Sequence, residues 1–515
     1  MMSEPGRENN YGSISDPILP PSESNMEEMS ELSNSTQQGE QPATTSDLAE
    51  PLKCEDVEVD RLPEEMELNN VYETIGVGPA QYIFWVISFL IAYSDYAELT
   101  LIALIIPYLR CEWELSEQLE ATITVTVFLV YAISAMVCGK ISDIYGRKRL
   151  MSITIVILII TAVGAALATN VYLFLFWRSI AGACIGANFA TVVVYSTEYS
   201  PKSHKSMGPL IALMGSYMSM FVVNIVGYFA LNSLGWRWVI VIITIPIIPA
   251  WILLVIMPET PRYLCVSGKN DSAHKAVHLM AKLNKVTLPK DLEVFCHQNK
   301  ELGSFKMVLG TSEFRRPAVL LSIMYFCNIF IETAVLVFLP LAYISEFCGA
   351  KGEAPQRDEC QKLTQSDLWK LSGAAAGSLA GCWAAYFVAK CLGRLKPTRG
   401  SNILQIAAFG FMFKCFNNDY LFGVSTAIKV INAFICMMIW FIIPESFPTL
   451  IRNTATGMVN SSGKIGAVVG TAMVYLLFYA SPVSVVISFV VVSCVTCICS
   501  FLLKKETQDV ELMDT

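Results

Sequence analysis

From residue 81 onward the chain is a succession of apolar stretches of about 20 residues, each long enough to cross a hydrocarbon layer of roughly 30 Å as a helix. Twelve can be counted, at approximately 82–108, 119–138, 150–168, 171–191, 208–231, 238–257, 318–343, 367–389, 401–416, 420–443, 455–480 and 481–503, the ninth being the weakest signal. Composition agrees, because 54% of residues are hydrophobic and only 16% charged, against about 25% charged in soluble globular proteins. The sequence therefore predicts an all-α membrane protein of twelve transmembrane helices.

The net charge of −8 conceals a division. Residues 1–80 hold 18 Asp and Glu against 3 Lys and Arg, which leaves the remainder of the chain net basic. The first 70 residues are rich in Ser, Glu, Pro, Asn and Gln and cannot bury enough apolar surface to offset the entropy of ordering, so 1–80 reads as a disordered acidic tail. With both termini cytosolic, Lys140, Arg147, Lys148 and Arg149, then Lys202 and Lys205, then Lys390, Arg394, Lys396 and Arg399 fall in inner loops, as the positive-inside rule requires. The first three outer loops hold only Arg110 and Arg237. A polar linker at 258–317 divides the spans into halves at 81–257 and 318–503, with a short cytosolic tail at 504–515.

The halves repeat one another. Gly146-Arg147 follows span 2 and Gly393-Arg394 follows span 8; Glu198-x-x-Pro201-x-x-x-Lys205 follows span 4 and Glu445-x-x-Pro448-x-x-x-Arg452 follows span 10. Both motifs recur at an offset of 247 residues and at the same topological position, which indicates duplicated, pseudo-symmetric six-helix halves.

Other classes find little support. Scattered basic residues offer no footprint for nucleic acid. No H-E-x-x-H, Walker loop, G-x-S-x-G or paired C-x-x-C occurs, and four His leave little for metal or acid–base chemistry, so neither an enzyme nor a cofactor is expected. Most of the 16 Cys, such as Cys138, Cys184 and Cys327, lie in apolar stretches as small hydrophobes. Without a basic region followed by a short apolar core at the N-terminus, no cleavable signal is expected and insertion begins with the first span.

The segment Gly139-Lys140-Ile141-Ser142-Asp143-Ile144-Tyr145-Gly146-Arg147-Lys148 fits the loop pattern G-x-x-x-D-x-x-G-R-K between spans 2 and 3 of the major facilitator proteins. Pro258-Glu259-Thr260-Pro261-Arg262-Tyr263-Leu264 after span 6 resembles the P-E-S-P-R-W-L signature of sugar porters and organic-ion transporters. Cys111-Glu112-Trp113, Phe326-Cys327-Asn328, Pro444-Glu445-x-Phe447-Pro448-Thr449 and Asp95-x-x-Glu98 narrow the resemblance to the synaptic vesicle 2-related transporters, over roughly residues 70–510. The resemblance implies the major facilitator fold and movement of a small polar or charged organic solute by alternating access, with protons as candidate co-substrate. At the inner gate Gly139 and Gly146 would permit a tight turn and close helix approach, while Asp143, Arg147, Lys148, Glu198, Arg262, Glu445 and Arg452 would form breakable charge networks. The second loop copy departs from the pattern, with Lys390 in place of Asp and Leu395 in place of a base, so a degenerate second latch is expected.

Ionisable residues inside spans are costly unless paired or hydrated and are therefore the sharpest functional markers. Asp95 and Glu98 lie near one face of span 1, and counting helical rise from the span ends puts Asp95 and Arg178 at one depth. The resemblance adds that spans 1 and 4 adjoin at the central cavity. An Asp95 to Arg178 pair is thus expected to carry proton coupling, the bland reading being a static pair; Glu98 either is the proton site or faces outer water. Glu332, Lys429 and Lys464 bring charge to the second half, where Lys either neutralises Glu332 or favours an anionic or zwitterionic solute. Asn328, Tyr217, Tyr325 and Trp440 are candidate pocket residues, and Gly373, Gly377 and Gly381 mark a close-packing surface.

Cys348 and Cys360 share the polar outer loop after span 7 and are expected to form a disulfide, with Cys111 complicating the pairing. Tyr11-Gly12-Ser13-Ile14 resembles a sorting signal, which leaves vesicle and plasma membrane both open. The expected partners are the solute, protons, the lipid bilayer and sorting adaptors on the N-terminal tail, around a monomeric protein. The alternative reading is a non-transporting binding or vesicle-trafficking protein that keeps the transporter body.

Overall fold

The computed structural model describes residues 65–201, 204, 207–289, 293–295, 305–345, 361–414, 417–447 and 449–503, all within one compact unit running from Leu62 to Thr515. The acidic segment to residue 64 with Tyr11, the linker positions Lys202 and Lys205, Cys348 and Cys360, and the side chains of Lys140 and Arg452 lie outside the described residues.

Helices dominate, as expected. The first half comprises α2 (Pro79–Trp113), α3 (Glu117–Tyr145), α4 (Arg147–Ala166), α5 (Val171–Glu198), α6 (Met207–Ala230), and α7 (Trp236–Thr244) with α8 (Ile247–Ile256), which form one span interrupted at Ile245-Pro246. The second comprises α12 (Ser312–Ile344), α13 (Gln365–Leu392), α14 (Leu395–Met412), α15 (Asn418–Glu445), α16 (Thr449–Phe478) and α17 (Pro482–Leu502). Among the described residues, eleven spans are long and apolar enough to cross a membrane. The twelfth, α14, falls short of that measure because its first turns carry Lys396, Pro397 and Arg399. Between the halves lie α9 (Pro261–Val266), α10 (Asn270–Leu283) and α11 (Phe305–Gly310).

Outside the spans, β1 (Glu65–Glu67) and β2 (Glu293–Phe295) form a short parallel pairing beside the helical body. One feature departs from the expectation. The stretch expected to be a disordered tail ends in α1 (Leu68–Ile75), with Leu68, Val71, Tyr72 and Ile75 buried. Those four positions follow the i, i+3, i+4, i+7 spacing of an amphipathic helix, a local signal that the composition of the whole tail masks.

The duplication is visible in local chemistry. Asn170 and Asn417, 247 residues apart, cap the fourth span of each half, each side-chain Oδ1 accepting the N–H three residues on at 2.8 Å. The helix pairings match too, with α2 on α6 as α12 is on α16, and α3 on α5 as α13 is on α15. Glycines permit these approaches: a Cβ at Gly215 would overlap the Phe89 carbonyl, and one at Gly466 the Phe326 carbonyl. Of the span 8 glycines, Gly381 abuts the Val430 carbonyl and Gly377 abuts Thr426 and Val430, as expected for a packing surface.

The halves meet along α3 with α16 and α6 with α13. At the outer end, in the orientation set by the basic loops, the Thr124 and Tyr475 hydroxyls lie 3.0 Å apart, Tyr479 donates to Glu120 at 3.0 Å and Tyr108 donates to the Leu363 carbonyl at 3.2 Å. Arg110 ties into the same group through Glu120.

Candidate functional site

The 35-residue helix α2 carries Asp95 and Glu98 into the protein interior, both almost fully buried. Arg178 on α5 pairs with Glu98, not Asp95: Nη1 lies 2.6 Å from Glu98 Oε2, and Nη2 donates to the Glu98 carbonyl at 3.1 Å. The expected Asp95 to Arg178 pair is therefore replaced. Counting rise fixes depth only to about one turn, roughly 5.4 Å, and two residues three apart differ by less than that. Depth could not separate them; the direction of the arginine did.

Asp95 is held differently. Its Oδ1 accepts from Asn188 Nδ2 at 3.4 Å, a long contact, and its Oδ2 has no hydrogen-bond partner among the described residues. Asn188 Oδ1 in turn receives the Thr154 hydroxyl from α4.

In the second half, Lys429 Nζ lies 3.0 Å from Glu332 Oε1. Asn432 donates to the other oxygen of Glu332, and its own Oδ1 accepts from Asn328 at 3.0 Å and from Gln405 at 2.9 Å. Each half thus buries one acid–base pair between its first and fourth spans, Glu98 with Arg178 and Glu332 with Lys429. Lys464 on α16 joins neither. It reaches into the first half, where its ammonium donates to the Tyr131 hydroxyl and lies 3.7 Å from the Phe189 ring centroid and 4.4 Å from that of Tyr131. Tyr325 and Trp440 meet edge to face at 5.7 Å, and Tyr217 is buried beside Cys436.

A small cavity of about 30 Å³ lies between the halves, lined by Thr100, Met220, Asn224, Leu336, Leu371 and Lys429, among others. Lys429 lines it; Asp95, Lys464, Tyr217, Tyr325 and Trp440 do not. Sequence reasoning missed Tyr131, Asn188, Phe189, Asn224, Gln405 and Asn432. The amides among them carry the same signal as the charges, a polar side chain in an apolar span, and would have been found by it.

At the inner end, Gly146 turns the chain at φ +100° between α3 and α4. Arg147 pairs with Asp143 at 2.9 Å and with Glu198 at 3.1 Å, and its guanidinium sits 5.1 Å from the Tyr263 ring centroid. Glu259, not singled out from the sequence, supplies both carboxylate oxygens to the Lys148 N–H at 3.1 Å, placing negative charge at the N-terminus of α4. Lys148 Nζ donates to the Val255 carbonyl, and the Arg262 charge acts on Glu198. Gly139 lies within α3. The second half repeats the core of this arrangement, with Arg394 and Glu445 at 3.0 Å. Lys390, in the place of Asp143, instead stands 4.3 Å over the Tyr386 ring, and Leu395, in the place of Lys148, is buried. Cys111 is disulfide-bonded.

The family model of the Major Facilitator Superfamily matches residues 84–349. The Synaptic vesicle 2-related protein of Pongo abelii is 25% identical over 411 residues, covering 78% of this chain and 74% of that protein. The Niacin transporter NiaP of Acinetobacter baylyi is 24% identical over 422 residues, 79% of this chain and 90% of that one. Among solved structures, the proton:xylose symporter XylE bound to 6-bromo-6-deoxy-D-glucose superposes with a TM-score of 0.63 at 17% identity, covering 84% of this chain and 96% of XylE.

Proposed function

The chain belongs to the Major Facilitator Superfamily, and from that premise we propose that it is a secondary active transporter that moves a small polar or charged organic solute by alternating access with proton coupling. One observation carries the reading: each half buries an acid–base pair between its first and fourth spans, and Asp95, three residues from Glu98, keeps a buried carboxylate oxygen that has no hydrogen-bond partner among the described residues. Buried ion pairs are weak stabilisers and cost desolvation, so six buried ionisable groups at membrane depth are retained against their energetic disadvantage. The outer end is joined across the halves, through Tyr475, Tyr479 and Leu363, whereas the inner ion pairs Arg147–Glu198 and Arg394–Glu445 each stay within one half. That distribution supports a cycle in which the halves rock about the buried centre. The relatives named as carriers of niacin and xylose support a small organic solute. Asp95 is the better proton acceptor, because the Glu98 carboxylate is already engaged by Arg178.

The second reading, a non-transporting binding or trafficking protein, draws on Lys390 and Leu395 in the second loop copy. Counterflow separates the two. Purified full-length protein in proteoliposomes should show saturable uptake that is accelerated by solute on the opposite side, from a panel of organic anions, cations and sugars. Ligand-induced thermal stabilisation of the same sample at two pH values gives an independent readout. A folded sample with no saturable exchange and no stabilisation by any class would overturn transport.

A further inference from the structure

Nine acidic or basic side chains are almost fully buried among the described residues. Three have peripheral roles: Glu120 meets Arg110 at the outer end, Glu198 meets Arg147 at the inner end, and Asp367 forms the capping box of α13. The other six are central, and four of them cancel as the Glu98–Arg178 and Glu332–Lys429 pairs. Asp95 and Lys464 remain. Neither has an opposite charge within 4.0 Å among the described residues, yet each acts electrostatically on the other across the boundary between halves.

Their surroundings are unequal. Lys464 presents its ammonium to two aromatic faces and one neutral hydroxyl, Tyr131, an arrangement that suits a cation awaiting an anion. Asp95 keeps one oxygen bare and the other on a long contact to Asn188. The titratable groups acting on Asp95 are Lys464 from α16, Glu98 from its own helix, Tyr131 from α3 and Cys184 from α5. From α6 and α12, Tyr217 and Glu332 act instead on its neighbour Tyr96. Facing Lys464 are Asp95, Tyr131, Phe189 and, from α15, Cys436.

We propose that Asp95 and Lys464 form the coupling centre of a one-proton, one-monocarboxylate symport, in which Lys464 holds the solute carboxylate and Asp95 takes the proton. The argument is one of charge balance and rests on the transport reading above. With Asp95 ionised and Lys464 protonated, the six central groups sum to zero, so the empty centre can be enclosed without burying net charge. A monoanion alone on Lys464 would leave the enclosed centre at −1, and a proton alone on Asp95 would leave it at +1. Only both together restore zero. Because net charge in a low-dielectric interior is strongly disfavoured, the halves rock when the centre is empty or fully loaded and resist when it holds one species. Tyr131 and Lys464 sit on the helices α3 and α16, which come from different halves, so rocking separates the hydroxyl from the ammonium and frees the cation for the solute. The two aromatic faces beside the ammonium favour a flat carboxylate over a bulky one.

The test uses full-length protein in proteoliposomes and a panel of small monocarboxylates, each beside its neutral amide and an organic cation of similar size. Monocarboxylate uptake should be driven by an inward proton gradient and be indifferent to an imposed membrane potential. The apparent dissociation constant should rise about tenfold per pH unit once Asp95 is ionised, as linkage to one proton requires. In Asp95→Asn that slope should flatten and gradient-driven accumulation should vanish. Lys464→Met should abolish monocarboxylate binding at every pH, and Lys464→Arg should restore it, which a merely structural role would not produce. Saturable exchange of amides or cations but not monocarboxylates would overturn this assignment while leaving transport standing, as would potential-driven uptake or an unchanged pH slope in Asp95→Asn. No saturable exchange by any class in a folded sample would overturn the transport reading and this inference with it.

Discussion

The exchange of partners at Arg178 can be tested by double-mutant cycles. Arg178 and Glu98 are 1% and 2% exposed and 2.6 Å apart, so removing either leaves the other as an uncompensated buried charge. Breaking such a pair from one side costs about 3–5 kcal/mol, whereas removing both charges together avoids the orphan and costs far less. Arg178→Met and Glu98→Gln should each destabilise by that amount, and the double variant should fall well short of the sum, giving a coupling energy of roughly 2 kcal/mol or more. Asp95 makes no ion pair with Arg178, so the Asp95→Asn, Arg178→Met cycle should be additive to within about 1 kcal/mol. The assay is unfolding of the purified protein in one detergent, with the four members of each cycle measured side by side. Coupling in the Asp95 cycle with additivity in the Glu98 cycle would refute the structural pairing and restore the one that depth counting suggests.

Two further outcomes follow from packing and titration. Gly381→Ala drives a methyl into the Val430 carbonyl and should destabilise by about 1–3 kcal/mol, while Gly423→Ala, with nothing within 4 Å of the new methyl, should be neutral or gain up to about 1 kcal/mol of helix propensity; thermal melts of the two variants compare them directly. On α10, the His274 and His278 Nε2 atoms lie 2.9 Å apart, and burial followed by the neighbouring His274 holds the His278 pKa below its ordinary value. Because the folded state resists that proton, the helix loses stability as pH falls below the usual histidine range and through the lowered value. Amide exchange across Asn270–Leu283, corrected for intrinsic rates, should show more opening at pH 5.5 than at 7.5, and His278→Gln should remove most of the difference.

The fold was legible because its determinants are local or periodic. Span length, the bias of Arg147 and Arg394 toward one side, and motifs 247 residues apart each need only the chain itself, and Asn170 and Asn417 extend the same repeat to the helix caps. Where a local signal was diluted by its surroundings it was lost: the amphipathic spacing of Leu68, Val71, Tyr72 and Ile75 sits at the end of a long acidic segment. The inner network was legible in outline through Asp143, Arg147 and Glu198. The role of Glu259 was not, because it depends on the linker folding back to lay a carboxylate on the first turn of α4.

The buried centre shows where repeat logic stops. A duplication predicts relations within a half, and the pairing of first with fourth span does recur, though with unrelated residues, Arg178 in one half and Lys429 in the other, at positions that the 247-residue offset does not connect. What recurs is therefore the electrostatic requirement that each half neutralise its own buried acid, met by different residues in the two halves. Lys464 obeys no such relation, because its environment is made by Tyr131 and Phe189 of the opposite half. Contacts across a moving boundary leave no imprint on sequence period or offset; they are set by how two rigid bodies meet. A charge that, among the described residues, has no opposite charge in contact within its own half and rests on an aromatic and hydroxyl surface of the other is the group whose energy must change whenever the halves separate, which is why the coupling argument falls on Lys464 and not on the better-paired Lys429.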